Sequence, residues 1–287
     1  MDVAECPDRP ELEGKRAVVE PLVSCGACHA CRMGRYNCCV DLKVMGVQTG
    51  GGLREMCSVE VRRLFPIPEG MPDETAVLAE PTSIAYRAVQ RSGIEAGRVA
   101  VVFGAGTIGL LIAQILVNAR GCRVLAVDLD PWRLEVAEKA GATPLPGGDA
   151  EGLVRAVSEA TGEEMTDVVF EATGSPACTR MTTDLVAHAG RIVLIGWNPR
   201  PVEVDTITLM RKEADLLGSR NSTNGLPGGA AAAGGRGCGP ASPHHPPLRA
   251  RGGAAGARGA RHRGRARAQD PPPRRSGRGM IFFDHKM

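Results

Sequence analysis

The sequence is poor in aromatic residues, which make up 3% of its 287 residues, although hydrophobic residues make up 43%. Any core is therefore expected to be mainly aliphatic. No run of about 18 or more uncharged apolar residues occurs, so we expect no membrane span. The first residues, Met1–Cys6, have neither a basic nor an apolar region of the kind that begins a secretory signal. We expect a cytoplasmic protein.

Acidic residues are scarce in the last part of the chain only. Residues 228–287 hold 12 lysines and arginines against 2 acids, whereas residues 1–227 hold 23 against 30. In residues 228–279, Gly, Ala, Arg and Pro supply 43 of 52 positions, and Leu248 is the only large aliphatic residue. Such a composition cannot bury enough apolar surface to offset chain entropy. We therefore expect residues 228–287 to form a disordered tail.

Residues 91–227 alternate between strand and helix patterns. Val99–Phe103 is a continuous apolar run of the kind that forms a buried parallel strand. The pattern predicts further strands at 123–127, 167–171 and 191–196, with helices at 108–119, 131–140, 150–161 and 177–186. This alternation is typical of an α/β fold with a doubly wound parallel sheet. Residues 41–90 instead mix short strands with turns, and a helix is expected to begin at Asp73, after Pro72.

The run GAGTIG at residues 104–109 has the spacing of a dinucleotide-binding turn. It follows a buried strand and opens a helix. Gly104 allows the tight turn, Gly106 lets the backbone approach a pyrophosphate, and Gly109 lets the helix pack close to the strand. The free N–H groups at the helix start favour phosphate. The alternative is a glycine-rich turn without a ligand.

An acid follows at the end of the next predicted strand. Asp128 would accept hydrogen bonds from ribose hydroxyls and repel a 2′-phosphate, which favours NAD over NADP. Arg133 either weakens that preference or covers the adenine. The ends of two later predicted strands, at residues 171–174 and 194–197, are candidates to line the nicotinamide half of the cofactor. The alternative is that they are ordinary turns. The expected cofactor-binding residues are Gly104, Gly106, Thr107, Ile108, Gly109, Asp128, Arg133, Thr173, Gly174, Ile195 and Gly196.

Four cysteines, Cys25, Cys28, Cys31 and Cys39, lie within about fifteen residues. Zinc takes four such ligands tetrahedrally, and a set of four thiolates leaves no place for water, so the site should be structural. Cys38 could replace Cys39, although the spacing favours Cys39. The alternatives are reduced, unligated cysteines or a zinc knuckle that binds nucleic acid, which the scarcity of flanking aromatics disfavours.

Together these motifs resemble the zinc-dependent medium-chain alcohol dehydrogenase family, in its sorbitol, polyol and threonine dehydrogenase branch. The resemblance covers roughly residues 10–227. It rests on several motifs in the right order, namely Val19-Glu20-Pro21, the cysteines, Gly46, residues 51–55, Glu80-Pro81, GAGTIG, Asp128 with Arg133, residues 171–174 and Gly218-Ser219-Arg220.

The resemblance implies a partial GroES-like β domain at residues 1–90, with a zinc lobe at residues 25–39, and a Rossmann NAD domain at 91–227. It implies hydride transfer to NAD from a secondary alcohol carbon of an alcohol, polyol or sugar acid. A second, catalytic zinc would activate the alcohol, and Glu80 matches an acid that contacts that zinc or its water. Alternatively, Glu80 only stabilises a helix start. Family members are dimers or tetramers, so the resemblance leaves the oligomeric state open, and a strand expected near 201–209 could pair across a two-fold axis.

The sequence departs from the family at both ends. No Gly-His-Glu occurs, the first histidine is His29 inside the cysteine cluster, and Cys6 lies too near that cluster to be the upstream ligand. We therefore expect a truncated N-terminus, a doubtful catalytic zinc and little turnover. The match stops near Pro227, and we interpret the following segment as the product of a shifted reading frame. The alternatives are a non-catalytic NAD-binding remnant, or a nucleic-acid binder that uses the zinc lobe and an arginine-rich tail.

Overall fold

The computed structural model of the protein describes residues 1–224 and the backbone of residues 280–284. The strands are β1 (Asp2–Glu5), β2 (Ala17–Val19), β3 (Leu22–Val23), β4 (Lys43–Val44), β5 (Val59–Glu60), β6 (Leu64–Pro66), β7 (Val99–Phe103), β8 (Arg123–Asp128), β9 (Thr143–Pro146), β10 (Thr166–Glu171), β11 (Val186–Leu194), β12 (Asp215–Gly218) and β13 (Met280–Asp284). The helices are α1 (His29–Arg32), α2 (Asp73–Ala76), α3 (Ala79–Ser92), α4 (Thr107–Arg120), α5 (Pro131–Lys139), α6 (Ala150–Thr161), α7 (Pro176–Leu185) and α8 (Thr206–Lys212).

A six-stranded parallel sheet forms the centre of the molecule, in the order β12-β11-β10-β7-β8-β9. The chain runs outward from β7 through β8 to β9, then returns to β10 and runs outward to β12. The strand order therefore reverses between β7 and β10, which is where doubly wound sheets bind ligands. The predicted α/β fold with a doubly wound sheet is confirmed.

Apolar side chains cover both faces of this sheet, as the continuous apolar run of β7 predicts. Ala100 and Val102 belong to one buried cluster with α3 and α4. Val101 and Phe103 point to the opposite face, where they pack with residues of α6 and α7. Alternate side chains of a strand point to opposite faces, so one short run serves both cores.

Helix α3 belongs to the layer that covers the sheet, although we expected residues 1–90 to form the first domain. Its residues Ala85, Ala88 and Val89 are buried in the same cluster as α4. The small alanines allow the two helices to approach closely. The helix expected from Asp73 is also divided into α2 and α3, and Gly93 ends α3 in the left-handed conformation.

The first part of the chain folds into small antiparallel sheets, with strand orders β1-β13-β5, β2-β6 and β3-β4. Its small core contains Val3, Leu12, Val59 and Leu64. This β-rich unit agrees with the predicted β domain. It presents the cysteine-containing segment between β3 and β4.

Three expectations need correction. Residues 280–284, expected in the disordered tail, form β13 between β1 and β5, because they carry the β-favouring run Met-Ile-Phe-Phe and meet two free strand edges. The strand expected near 201–209 is instead a loop and α8, which Asp205 caps by accepting from the N–H groups of Ile207 and Thr208. Strand β11 begins at Val186 rather than at 191.

The remainder of the predicted tail, residues 228–279 and 285–287, lies outside the described residues, as do residues 225–227. The interpretations of this segment as the product of a shifted reading frame or as a nucleic-acid-binding tail concern these residues. Within the described part of the chain, no helix is long and apolar enough to span a bilayer.

Candidate functional site

The glycine turn between β7 and α4 has the geometry that its spacing predicts. Gly104 adopts a positive φ of 91°, which favours glycine. A Cβ on Gly109 would lie 1.7 Å from the carbonyl oxygen of Gly104, so only glycine fits there. A Cβ on Gly106 would meet nothing within 4 Å. Helix α4 has no side-chain cap at its start. Open space therefore lies beside Gly106, next to N–H groups that can bind phosphate.

Asp128 ends β8 next to this turn. Its Oδ2 accepts the N–H of Ala105 at 2.7 Å, and its Oδ1 accepts the N–H of Asp130 at 3.0 Å. The Nη1 of Arg133 lies 3.5 Å from Oδ2. These contacts fix the carboxylate beside the glycine turn. Each carboxylate oxygen can accept a further hydrogen bond, so a ribose hydroxyl can still bind.

The loops that follow β10 and β11 meet the glycine turn at the point where the strand order reverses. A Cβ on Gly104 would lie 2.9 Å from Cγ2 of Thr173. A Cβ on Gly196 would lie 2.0 Å from the nitrogen of Gly174, whose φ is +70°. Ile195 donates its N–H to the carbonyl of Glu171 at 2.9 Å. The structure thus brings the two predicted loops to the same edge of the sheet as the turn.

The four cysteines predicted as zinc ligands converge on one point. Their sulfur atoms all lie within 4.8 Å of one another, and this group does not include Cys38. A tetrahedral zinc with four thiolates requires sulfur separations of about 3.8 Å, given Zn–S distances of about 2.3 Å. The Sγ of Cys31 lies 4.0 Å from that of Cys25 and 3.5 Å from that of Cys28. The residues therefore fit a closed zinc site.

Backbone N–H groups surround these sulfurs. The N–H of Cys28 donates to the Sγ of Cys25 at 3.3 Å, and that of Cys25 donates to the Sγ of Cys39 at 3.3 Å. A hydrogen bond from the N–H of Val40 is the main cause that lowers the pKa of Cys28 to about 6. Partial burial, with hydrogen bonds among the thiols, raises the pKa of Cys31 to about 11. The lobe thus favours the thiolate form of Cys28. Cys31 instead keeps its proton, which a bound metal ion would displace.

Polar side chains of the cysteine lobe tie it to the segment after β12. Asn37 is buried, donates to the carbonyl of Arg220 at 2.7 Å and accepts from the Thr223 hydroxyl at 2.5 Å. The hydroxyl of Tyr36 accepts the N–H of Asn224 at 2.9 Å and donates to Glu20 at 2.7 Å. Sequence reasoning missed these contacts, because the partners lie far apart in the chain.

Glu80 lies in the first turn of α3 and is partly buried. Burial, and then the nearby negative charge of Glu20, raise the pKa of its carboxyl group. Its place in the first turn of α3 suits the predicted role at a helix start. Among the described residues, however, the only group of three or more Cys, His, Asp or Glu side chains able to share a metal is the cysteine cluster. The described surroundings of Glu80 therefore do not fit a second zinc.

A cavity of about 340 Å³ lies at the opposite end of the sheet, beside the amino ends of β7, β10 and the start of β11. Its lining includes Arg98, Asp167, His188 and Arg191. Arg98 contacts Asp167, and Arg191 contacts Asp215, so these charges are already paired. None of the predicted site residues lines this cavity.

Two family descriptions match the chain in order. Residues 4–69 match the alcohol dehydrogenase GroES-like domain, and residues 107–231 match the zinc-binding dehydrogenase domain. The chain is 36% identical over 209 residues to an uncharacterized zinc-type alcohol dehydrogenase-like protein of Haemophilus influenzae. It is 34% identical over 210 residues to the L-galactonate-5-dehydrogenase of Escherichia coli. In both cases the match covers 73% of this chain and 61% of the relative. The chain thus spans about three fifths of the length of these relatives.

Solved structures give the same result. A structure described as a short chain alcohol dehydrogenase of Escherichia coli, complexed with NADH, superposes with a TM-score of 0.73 at 31% identity. The superposition covers 78% of this chain and 66% of that one. The 2R,3R-butanediol dehydrogenase of Bacillus subtilis superposes with a TM-score of 0.66 at 30% identity, over 76% of this chain and 62% of that one.

Proposed function

Because the chain belongs to the zinc-binding alcohol dehydrogenase family, we propose that it is an NAD-dependent oxidoreductase that acts on the CH–OH group of a small molecule. The relatives include sorbitol, butanediol and galactonate dehydrogenases. We therefore assign the substrate to the class of secondary alcohols, polyols and sugar acids.

The observation that carries this proposal is the open space beside Gly106, at the start of α4 and next to Asp128. The pyrophosphate of NAD would occupy this space and accept hydrogen bonds from the N–H groups of Thr107 and Ile108. Asp128 would accept from the ribose hydroxyls and exclude a 2′-phosphate by charge. Thr173, Gly174, Ile195 and Gly196 would line the nicotinamide half.

When bound, NAD would supply the acceptor for the hydride that leaves the carbinol carbon of the alcohol. The protein's contribution at this site is to bind and orient the cofactor. The loops after β10 and β11 touch each other and the glycine turn, so the nicotinamide half would rest on a packed surface. Packed support of this kind limits the orientations that the ring can adopt.

The cysteine cluster would hold a structural zinc through Cys25, Cys28, Cys31 and Cys39. Four thiolates complete the coordination of the metal, so this site leaves no position for substrate. Its function would be to order the segment between β3 and β4. The hydrogen bonds of Tyr36 and Asn37 would extend that order to residues 220–224.

For the catalytic zinc, we propose no step, since Glu80 is the only family ligand that the described residues contribute. An isolated carboxylate is too weak to retain zinc. We therefore propose that this chain binds NADH and turns over slowly. A cytoplasmic location remains part of this proposal.

The test is expression with zinc, followed by two measurements on the same preparation. Fluorescence titration measures NADH binding, and absorbance of NADH at about 340 nm follows turnover on a panel of polyols and sugar acids. We expect saturable NADH binding with little turnover. Failure to bind NADH would refute the cofactor assignment, whereas robust turnover would refute only the proposed lack of a catalytic zinc.

A further inference from the structure

Glu171 is a buried carboxylate at the end of β10, beside the reversal of strand order. The residue is 1% exposed and is among the largest fully buried side chains. None of the ion pairs between described residues includes it. A carboxylate buried without a cation must be compensated by hydrogen-bond donors. The position of those donors therefore indicates what the residue organises.

The donors to this carboxylate all come from the next loop. Its Oε1 accepts the N–H of Thr173 at 2.8 Å, the N–H of Gly174 at 3.0 Å and the hydroxyl of Thr173. Its Oε2 accepts the N–H of Gly174 at 3.2 Å. The Thr173 hydroxyl in turn accepts the N–H of Ser175 at 2.9 Å. The carboxylate thus holds Thr173 and Gly174 directly, and Ser175 through the Thr173 hydroxyl.

The same residue also holds the loop after β11. Its main-chain carbonyl accepts the N–H groups of Ile195 and Gly196, both at 2.9 Å. A Cβ on Gly196 would lie 2.7 Å from Oε2 of the carboxylate, so this loop rests directly on the Glu171 side chain. Through Thr173, whose Cγ2 packs at Gly104, the contact extends to the glycine turn.

We propose that Glu171 is the positioning residue for the nicotinamide half of the cofactor site. It acts through Thr173, Gly174 and Gly196. This inference rests on the proposed function, because it presupposes that NAD binds at these loops. Without the carboxylate, two backbone N–H groups lose their acceptor and the loop gains conformers, which cofactor binding must then reorder.

The test compares NADH with AMP, which carries only the adenosine half of the cofactor, by calorimetric titration of the full chain. For Glu171→Ala, we expect the Kd for NADH to rise about tenfold and that for AMP to change by less than about twofold. Thr173→Val, which removes one donor, should raise the Kd for NADH about threefold. Glu171→Gln keeps an acceptor oxygen and should lie between the wild type and the alanine variant.

Thr166→Val is the matched control. Thr166 is buried at the opposite end of the same strand, and its hydroxyl donates to the carbonyl of Leu185 at 2.9 Å. This variant should unfold at a lower temperature and bind NADH normally. If Glu171→Ala does not fold, Glu171→Gln and Thr173→Val provide the test.

Two results would overturn the inference. One is NADH binding within about twofold of wild type in all the variants at Glu171 and Thr173 that fold. The other is an equal loss of NADH and AMP affinity, which would indicate general damage to the domain. Failure of the wild-type chain to bind NADH is a different result, because it contradicts the proposed function itself.

Discussion

Alanine substitutions at Gly106 and Gly109 should separate cofactor binding from stability. Both are glycines of the same turn, three residues apart. A Cβ on Gly106 would meet no atom within 4 Å, and the φ of −75° there suits any residue. A Cβ on Gly109 would lie 1.7 Å from the oxygen and 2.9 Å from the carbonyl carbon of Gly104. The two variants therefore add the same methyl group to very different surroundings.

Gly109→Ala should destabilise the domain strongly. In a helix, alanine in place of glycine is usually stabilising by about 0.5–1 kcal/mol. Here the added carbon overlaps backbone atoms, so the turn must move, and overpacking of this kind costs about 3 kcal/mol. For a domain of this size, that loss lowers the unfolding temperature by about 6–12 °C.

Gly106→Ala should leave stability nearly unchanged and weaken NADH binding. Alanine is less favourable than glycine at the helix start, which lowers stability by less than about 1 kcal/mol. It also reduces the freedom of the unfolded chain, which raises stability by less than about 1 kcal/mol, so the two effects oppose each other. The methyl group would occupy the space assigned to the pyrophosphate. We expect the Kd for NADH to rise at least about tenfold, which is about 1.4 kcal/mol.

Thermal unfolding and NADH fluorescence titration, made on both variants and the wild type, test this pair. NADH affinity in Gly106→Ala equal to that of the wild type would refute the placement of the pyrophosphate. A Gly109→Ala variant as stable as the wild type would refute the close approach of α4 to β7.

Three further predictions concern other residues. Asp128→Ser should weaken NADH binding about tenfold and reduce the preference for NADH over NADPH, because the charge that repels a 2′-phosphate is lost. Titration with both cofactors measures this change. Cys39→Ser should reduce the bound zinc well below one ion per chain in elemental analysis, whereas Cys38→Ser should retain it; equal zinc in both would contradict the ligand assignment. Burial raises the pKa of Glu20, so the folded state binds its proton more tightly and the free energy of unfolding falls as pH rises above about 4.5. Glu20→Gln should remove the contribution of Glu20 to this decline in the free energy of unfolding, measured by urea unfolding between about pH 5 and pH 8. An unchanged pH dependence in this variant would contradict the raised pKa of Glu20.

Local sequence patterns predicted the sheet and the glycine turn, because both depend on neighbouring residues. The apolar run Val99–Phe103 forms the central strand β7, and the acid after the next strand lies beside the turn. The cysteine spacing also predicted which sulfurs meet, including Cys39 rather than Cys38. In each case the residues that come together lie in one short segment of the chain or on adjacent strands.

Long-range contacts were not predictable in this way. The buried Asn37 binds residues 220 and 223, and no local pattern links such distant positions. The position of α3 was also missed, because its alanines give no signal of which sheet they face. Strand β13 pairs with the edges of β1 and β5. The sequence just before it, rich in glycine, alanine, arginine and proline, gives no indication of this pairing.

Titration of the purified wild-type chain with NADH and with NADPH tests the central claim most directly. The claim is that the turn at Gly104–Gly109 and the carboxylate of Asp128 form an NAD site. We predict one saturable NADH site per chain, with a Kd at least about tenfold lower than that for NADPH. No binding of either cofactor, or tighter binding of NADPH, would contradict the account.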